Sequence, residues 1–164
     1  MSLSDCASSI LNPKSLILNG TFELVLYEKT GIGIGNQSNN PWLQELPDPV
    51  SKCTWDNYIT MNPTDMKDKY SLLERGNYEG DVVELMVNVQ GLMDNGNTST
   101  INHQPLTIKV PVFPQPGQAL GTIGLALGYG RTSAGKVANG VGVNAYQFLQ
   151  WKNGNLQNSV SGVK

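Results

Sequence analysis

Short apolar stretches, broken at close intervals by glycine, proline and asparagine, constrain this chain most. Thr21 to Glu28 alternates, with Phe22, Leu24 and Leu26 set against Thr21, Glu23 and Val25, the period of a half-buried strand. Val82 to Val89 alternates in the same way, and Pro105 to Phe113 places Leu106, Ile108, Val110 and Val112 on one face. Gly121 to Leu127 is small and apolar, as a strand buried on both faces requires. Trp55 to Met61 and Ala145 to Trp151 each have room for a short strand. Turn signals stand at Gly80-Asp81 and at Pro114-Gln115-Pro116-Gly117. Pro41 to Pro47 allows one helical turn, closed by Pro47 and Pro49. Asn62-Pro63-Thr64-Asp65 supplies an asparagine cap, proline at the first helical position and an acid in the first turn, so a helix should run to about Tyr70. The pattern predicts a mainly β domain of six or seven strands with one or two short helices. Residues 1–20 read as an irregular lead, 21–151 as the domain and 152–164 as a flexible tail.

A length of 164 residues suits one domain with a real core. Two cysteines and one histidine are too few for a four-thiolate cluster and a poor set for a closed zinc site, so no metal ligands are expected. Cys6 and Cys53 fit no redox or metal spacing and read as inert. No apolar run reaches the length of a membrane-spanning helix, and Met1 to Asp5 lacks the basic and apolar regions of a signal peptide. All 13 acids lie between Asp5 and Asp94, where six bases leave −7; from Asn95 onward five bases and no acid leave +5. An acidic front and a basic back suggest that the back faces something anionic or an acidic neighbour. A total of −2 without a basic-aromatic stripe argues against nucleic acid.

Two glycine-rich stretches carry the candidate chemistry. Thr30 to Asn40 is a long polar loop containing Gly31, Gly33, Asn36, Asn39 and Asn40, with Trp42 just beyond it. Gly128 to Asn144 holds Tyr129, Gly130, Arg131, Thr132, Lys136, Asn139 and Asn144 among five glycines. Gly130 to Lys136 matches the Gly-x4-Gly-Lys core of a phosphate-cradling loop. Val137, however, replaces the magnesium-binding hydroxyl, and Gly140 and Gly142 oppose the helix that should follow. Gly140 to Ala145 imitates a dinucleotide fingerprint but lacks the preceding strand and the later acid. A contact surface for an anionic ligand or a partner is what remains, through close backbone approach and the guanidinium of Arg131. His103 reads as a surface residue without a nucleophile elbow to serve, and the carboxylates of Asp65, Asp68, Glu79 and Asp81 are accounted for by capping and turns. No catalytic constellation is complete.

Several strings resemble the C-terminal, dinucleotide-binding-type domain of the molybdopterin oxidoreductases. They are the strand Phe22–Glu28 with its 31–40 loop, Asn62-Pro63-x-Asp65, the Gly80-Asp81 turn before Val82-Val83, the Pro116-Gly117 turn and the late glycine-rich loop. The narrower resemblance is to the molybdopterin-oxidoreductase-like, iron–sulfur subunit of alternative complex III. It rests on Asn39 to Pro49, Trp55-Asp56-Asn57-Tyr58, Gln115-Pro116-Gly117, Gly124 to Thr132, Gly135-Lys136-Val137 and Gly140 to Tyr146, and it spans about residues 20–150. The resemblance implies a double-psi β-barrel that belongs to a larger, exported subunit on the periplasmic side of the bacterial inner membrane. Its parent would pass electrons from quinol toward a cytochrome or similar acceptor. Iron–sulfur clusters would lie only in other domains of that parent, and the partners would be those domains and the subunits of a membrane respiratory complex. The domain itself would not enter the membrane and would not be active alone. In true molybdoenzymes the two loops hold a molybdopterin guanine dinucleotide; in the alternative complex III relatives they serve as scaffold. The family's Gly-Arg after the first strand is replaced here by Thr30-Gly31-Ile32, which favours the scaffold. A working dinucleotide-binding domain and a free-standing anion binder built on Gly130–Lys136 stand as alternatives.

Overall fold

A computed structural model describes residues 16–17, 22–70, 81–87, 106–152 and 155–163. The chain is mainly β, as the alternation predicts. Its strands are β1 (Leu16–Ile17), β2 (Phe22–Tyr27), β3 (Ile59–Met61), β4 (Val82–Val87), β5 (Leu106–Pro114), β6 (Thr122–Ala126), β7 (Gln150–Lys152), β8 (Asn155–Gln157) and β9 (Ser159–Val163). Two short helices interrupt them, α1 (Pro41–Glu45) and α2 (Pro63–Tyr70). One mixed sheet runs β1-β4-β5-β3-β6-β2-β9, and β7-β8 form a separate ribbon. The outer strands β4 and β9 approach one another, so the sheet curls into a half-barrel.

The core lies in the concavity. On β2, Phe22, Leu24 and Leu26 are buried while Glu23 and Val25 face solvent, the expected faces. At the centre, Ile59 and Met61 of β3 lie antiparallel to Ile123 and Leu125 of β6, and all four are fully buried. Burying each contributes about 2 kcal/mol. On β5, Val110 and Val112 are buried, and Leu106 and Ile108 pack half-buried against the same core. Gly124 has no side chain because a Cβ there would collide with Thr60 and the Tyr27 ring.

Both helix starts follow their sequence signals. The Asn40 side chain accepts from Trp42 N–H at 3.0 Å, and Asn62 accepts from Thr64 N–H at 2.8 Å, each satisfying a backbone donor at a helix start. Asp65 reaches beyond its helix and accepts from Gly121 N–H at 2.7 Å, which ties α2 to the start of β6.

Three expectations need correction. Residues 155–163, read as part of a flexible tail, form β8 and β9. β9 pairs antiparallel with β2 and buries Val160 and Val163, so those two valines carry the segment onto the core. The single strand expected over Ala145–Trp151 is a 3-10 turn at Ala145–Phe148 followed by β7. Asn144 caps that turn by accepting from Tyr146 N–H at 3.0 Å, and Phe148 is buried beneath it. Among the described residues the strands number nine, the excess over six or seven lying in very short segments. The expected irregular lead over 1–20 lies outside the described residues except for β1, and the Gln90–Gln104 excursion with His103 lies wholly outside them, as does Cys6.

Candidate functional site: two glycine-rich loops locked together

The 28–40 loop leaves β2 and the 128–144 loop leaves β6. β2 and β6 are parallel neighbours, so both loops emerge at the same end of the sheet. Their backbones touch. A Cβ on Gly35 would lie 2.6 Å from Gly128 O, and one on Gly128 would lie 2.9 Å from Gly35 N, with both residues at positive φ. Only glycine permits that approach.

Side chains complete the lock. Asn39 Oδ1 accepts from Val137 N–H at 3.0 Å, and its amide fills the space above Gly135. Ile34 O accepts from Tyr146 O–H at 2.6 Å and, at the longer distance of 3.4 Å, from Arg131 Nη2. Within the second loop, Asn139 accepts from Ala134 N–H at 2.7 Å, while Gly130 N–H donates to Val141 O and Gly140 N–H to Arg131 O. Gly130 packs its α-carbon onto the backbone of Val143 and Asn144.

A polar layer sits below. Asn57 is fully buried and donates through Nδ2 to Ala126 O and Val143 O at 2.9 Å each, while Oδ1 accepts from Val143 N–H at 2.9 Å. Lys29 is also buried; its ammonium donates to Asp56 O at 2.9 Å and lies 4.1 Å from the Tyr58 ring centre and 5.3 Å from that of Tyr129. Burial lowers the Lys29 pKa against the pull of nearby Asp48, Cys53 and Asp56. Tyr58 and Tyr129 are pushed up to about 12, chiefly by burial. Ser51 bridges the Tyr58 hydroxyl and the Asp48 carboxylate. Burial disfavours ionised Asp48, but the bonds from Ser51 and Val50 outweigh it and its pKa falls.

The sequence-derived residues thus gather at one end of the fold, in different roles. Asn39, Gly128, Gly130, Arg131 and Asn139 join or brace the loops. Gly31 packs against Leu43 and Leu46, Gly33 bridges back to Lys29, and Asn40 and Asn144 cap the two turns. Tyr129 is buried; Asn36, Thr132 and Lys136 are exposed, and Trp42 is 83% exposed. An open depression of about 360 Å³ remains, lined by Tyr129 to Ala134, Asn144 and Tyr146. No helix follows Gly130–Lys136 to aim its N-terminus at a phosphate; the next helical turn begins only at Ala145. Sequence reasoning missed Lys29, Asn57, Ile34 and Tyr146. The Trp-Asp-Asn-Tyr string was the one available signal for Asn57; a lysine at the end of an amphipathic strand gives no sign of burial.

Among the described residues no group of three histidine, cysteine or acidic side chains converges as metal ligands, and no helix is long and apolar enough to cross a membrane. Cys53 is a free, half-buried thiol. No protein-family model matches the chain, and no curated protein does.

Proposed function

We propose that this chain is a non-catalytic scaffold domain of a molybdopterin-oxidoreductase-type subunit that works in quinol-driven electron transfer on the periplasmic side of a bacterial inner membrane. The observation that carries the scaffold reading is the mutual use of polar groups by the two loops. Asn39, Asn139 and Asn144, which by the resemblance would face a dinucleotide, each turn the side-chain oxygen to a backbone N–H of this chain. Gly35 and Gly128 bring the backbones of the two loops into contact with each other. These internal bonds favour a scaffold over a dinucleotide clamp.

The strand pairing supports the double-psi part of the reading. Outward from the antiparallel centre β3/β6, each direction meets first a parallel neighbour, β5 or β2, and then an antiparallel one, β4 or β9. Two interlocked halves related by a pseudo-two-fold axis give that palindrome. The family assignment rests on the Trp-Leu-Gln-Glu-Leu-Pro and Gly-Tyr-Gly-Arg-Thr strings. The test is to isolate the native assembly through a tag on this chain and determine its iron, molybdenum and pterin. Iron without stoichiometric molybdenum or pterin is the expected result. A lone chain without an iron-bearing parent or partner would overturn the electron-transfer reading.

A further inference from the structure

A large aromatic side chain left in water invites a partner, and the locked loops carry one on the same end of the fold as two cations. Trp42 stands 83% exposed at the start of α1, with Leu46 (49%) and Ile34 (43%) also facing solvent. Exposed tryptophan costs hydration free energy and is favoured where a partner later covers it.

The 128–144 loop lies against this stretch, because Asn39 holds Val137 N–H and covers Gly135 three residues before Trp42. Lys136, exposed, lies between Gly135 and Val137, the two residues that touch Asn39, and Arg131 lines the depression with Thr132, Ser133 and Tyr146. Neither cation has a carboxylate partner among the described residues, and the chain carries no acid at all beyond Asp94. The acid on α1, Glu45, lies one helical turn beyond Trp42, so the basic edge is on the Asn39 side of the indole.

We propose that Trp42 and the basic edge formed by Arg131 and Lys136 make one docking surface for an acidic protein segment. One carboxylate of that segment enters the depression beside Arg131, a second pairs with Lys136, and an apolar side chain covers the Trp42 indole. Apolar cover supplies the affinity, and the paired charges supply orientation and register. The surface deepens the scaffold reading by naming the chemistry of the neighbour, but it does not depend on which protein the neighbour belongs to.

The test is photo-crosslinking in the native cell, with p-benzoylphenylalanine placed at position 42 of the full chain and, as a control, at Leu156, another exposed apolar position (58% exposed). Position 42 should yield a dominant crosslinked peptide bearing at least a pair of Asp or Glu residues near the attachment point. Lys136→Glu alters an exposed side chain and should leave the fold intact, while reducing that crosslink about tenfold through like-charge repulsion. Arg131→Gln, which keeps a donor near Ile34, should reduce it as well. A yield at 42 no greater than at 156, attachment to a second copy of this chain, or a crosslink indifferent to Lys136→Glu would each overturn the proposal. A peptide from an acidic protein unrelated to any iron–sulfur subunit would uphold the docking surface and refute the electron-transfer reading.

Discussion

At the scale of single residues, Asn57 does the most with the least surface. Three hydrogen bonds from one buried amide hold Asn57 to the end of β6, 69 residues away, and to the backbone at Val143, 86 residues away. Replacing it by alanine leaves two carbonyls and one N–H without partners in a dry interior. Asn57→Ala should therefore cost about 3 kcal/mol in urea-unfolding stability. An unchanged midpoint would mean that water replaces the amide without loss. The site residues were legible in the sequence mostly by type. Glycine density suggested close backbone approach to a ligand, whereas Gly35 and Gly128 use it for contact between the two loops themselves. Which asparagines would face a ligand and which would bind their own chain was not legible, because Asn39 and Asn139 differ only in what the fold brings beside them.

At the scale of elements, alternation located β2, β4 and β5 and assigned their inward faces, because an antiparallel or half-buried strand writes its burial into a period of two. β9 escaped that reading. Ser159 to Val163 offers only Val160 and Val163 as inward anchors, and a glycine between them breaks the alternation. Its place is fixed by pairing with β2, which no local pattern announces. Truncation after Lys152 should therefore do more than trim a tail. It removes two buried valines, worth about 3 kcal/mol together, and exposes the outer edge of β2. The truncated chain should unfold at a clearly lower urea concentration and aggregate more readily; an identical unfolding curve would contradict the pairing. The helix caps were the most legible elements, since Asn40 and Asn62 act within two residues of their own position.

At the scale of the whole molecule, the buried polar layer beneath the loops gives stability a defined pH response. Tyr58 and Tyr129 keep their protons up to about 12 in the folded chain, mainly because burial disfavours phenolate. The unfolded chain releases them near pH 10. Stability should consequently fall as pH rises from about 10 to 12. Lys29 acts in the opposite sense: its folded pKa is lowered, so its burial penalty is relieved as the ammonium loses its proton below the ordinary lysine pKa. Unfolding midpoints measured across that alkaline range should drop, and the drop should shrink in Tyr58→Phe and Tyr129→Phe. A flat profile in the native chain would mean that the rings are more open to solvent than their burial indicates.

The same layer joins the loops to the sheet and leaves the 360 Å³ depression as the open space between them and solvent. The most direct measurement is the molybdenum content of the native assembly, isolated through this chain and counted per copy of it. The scaffold account predicts molybdenum well below one atom per chain alongside abundant iron. One molybdenum atom per chain, accompanied by pterin, would contradict it.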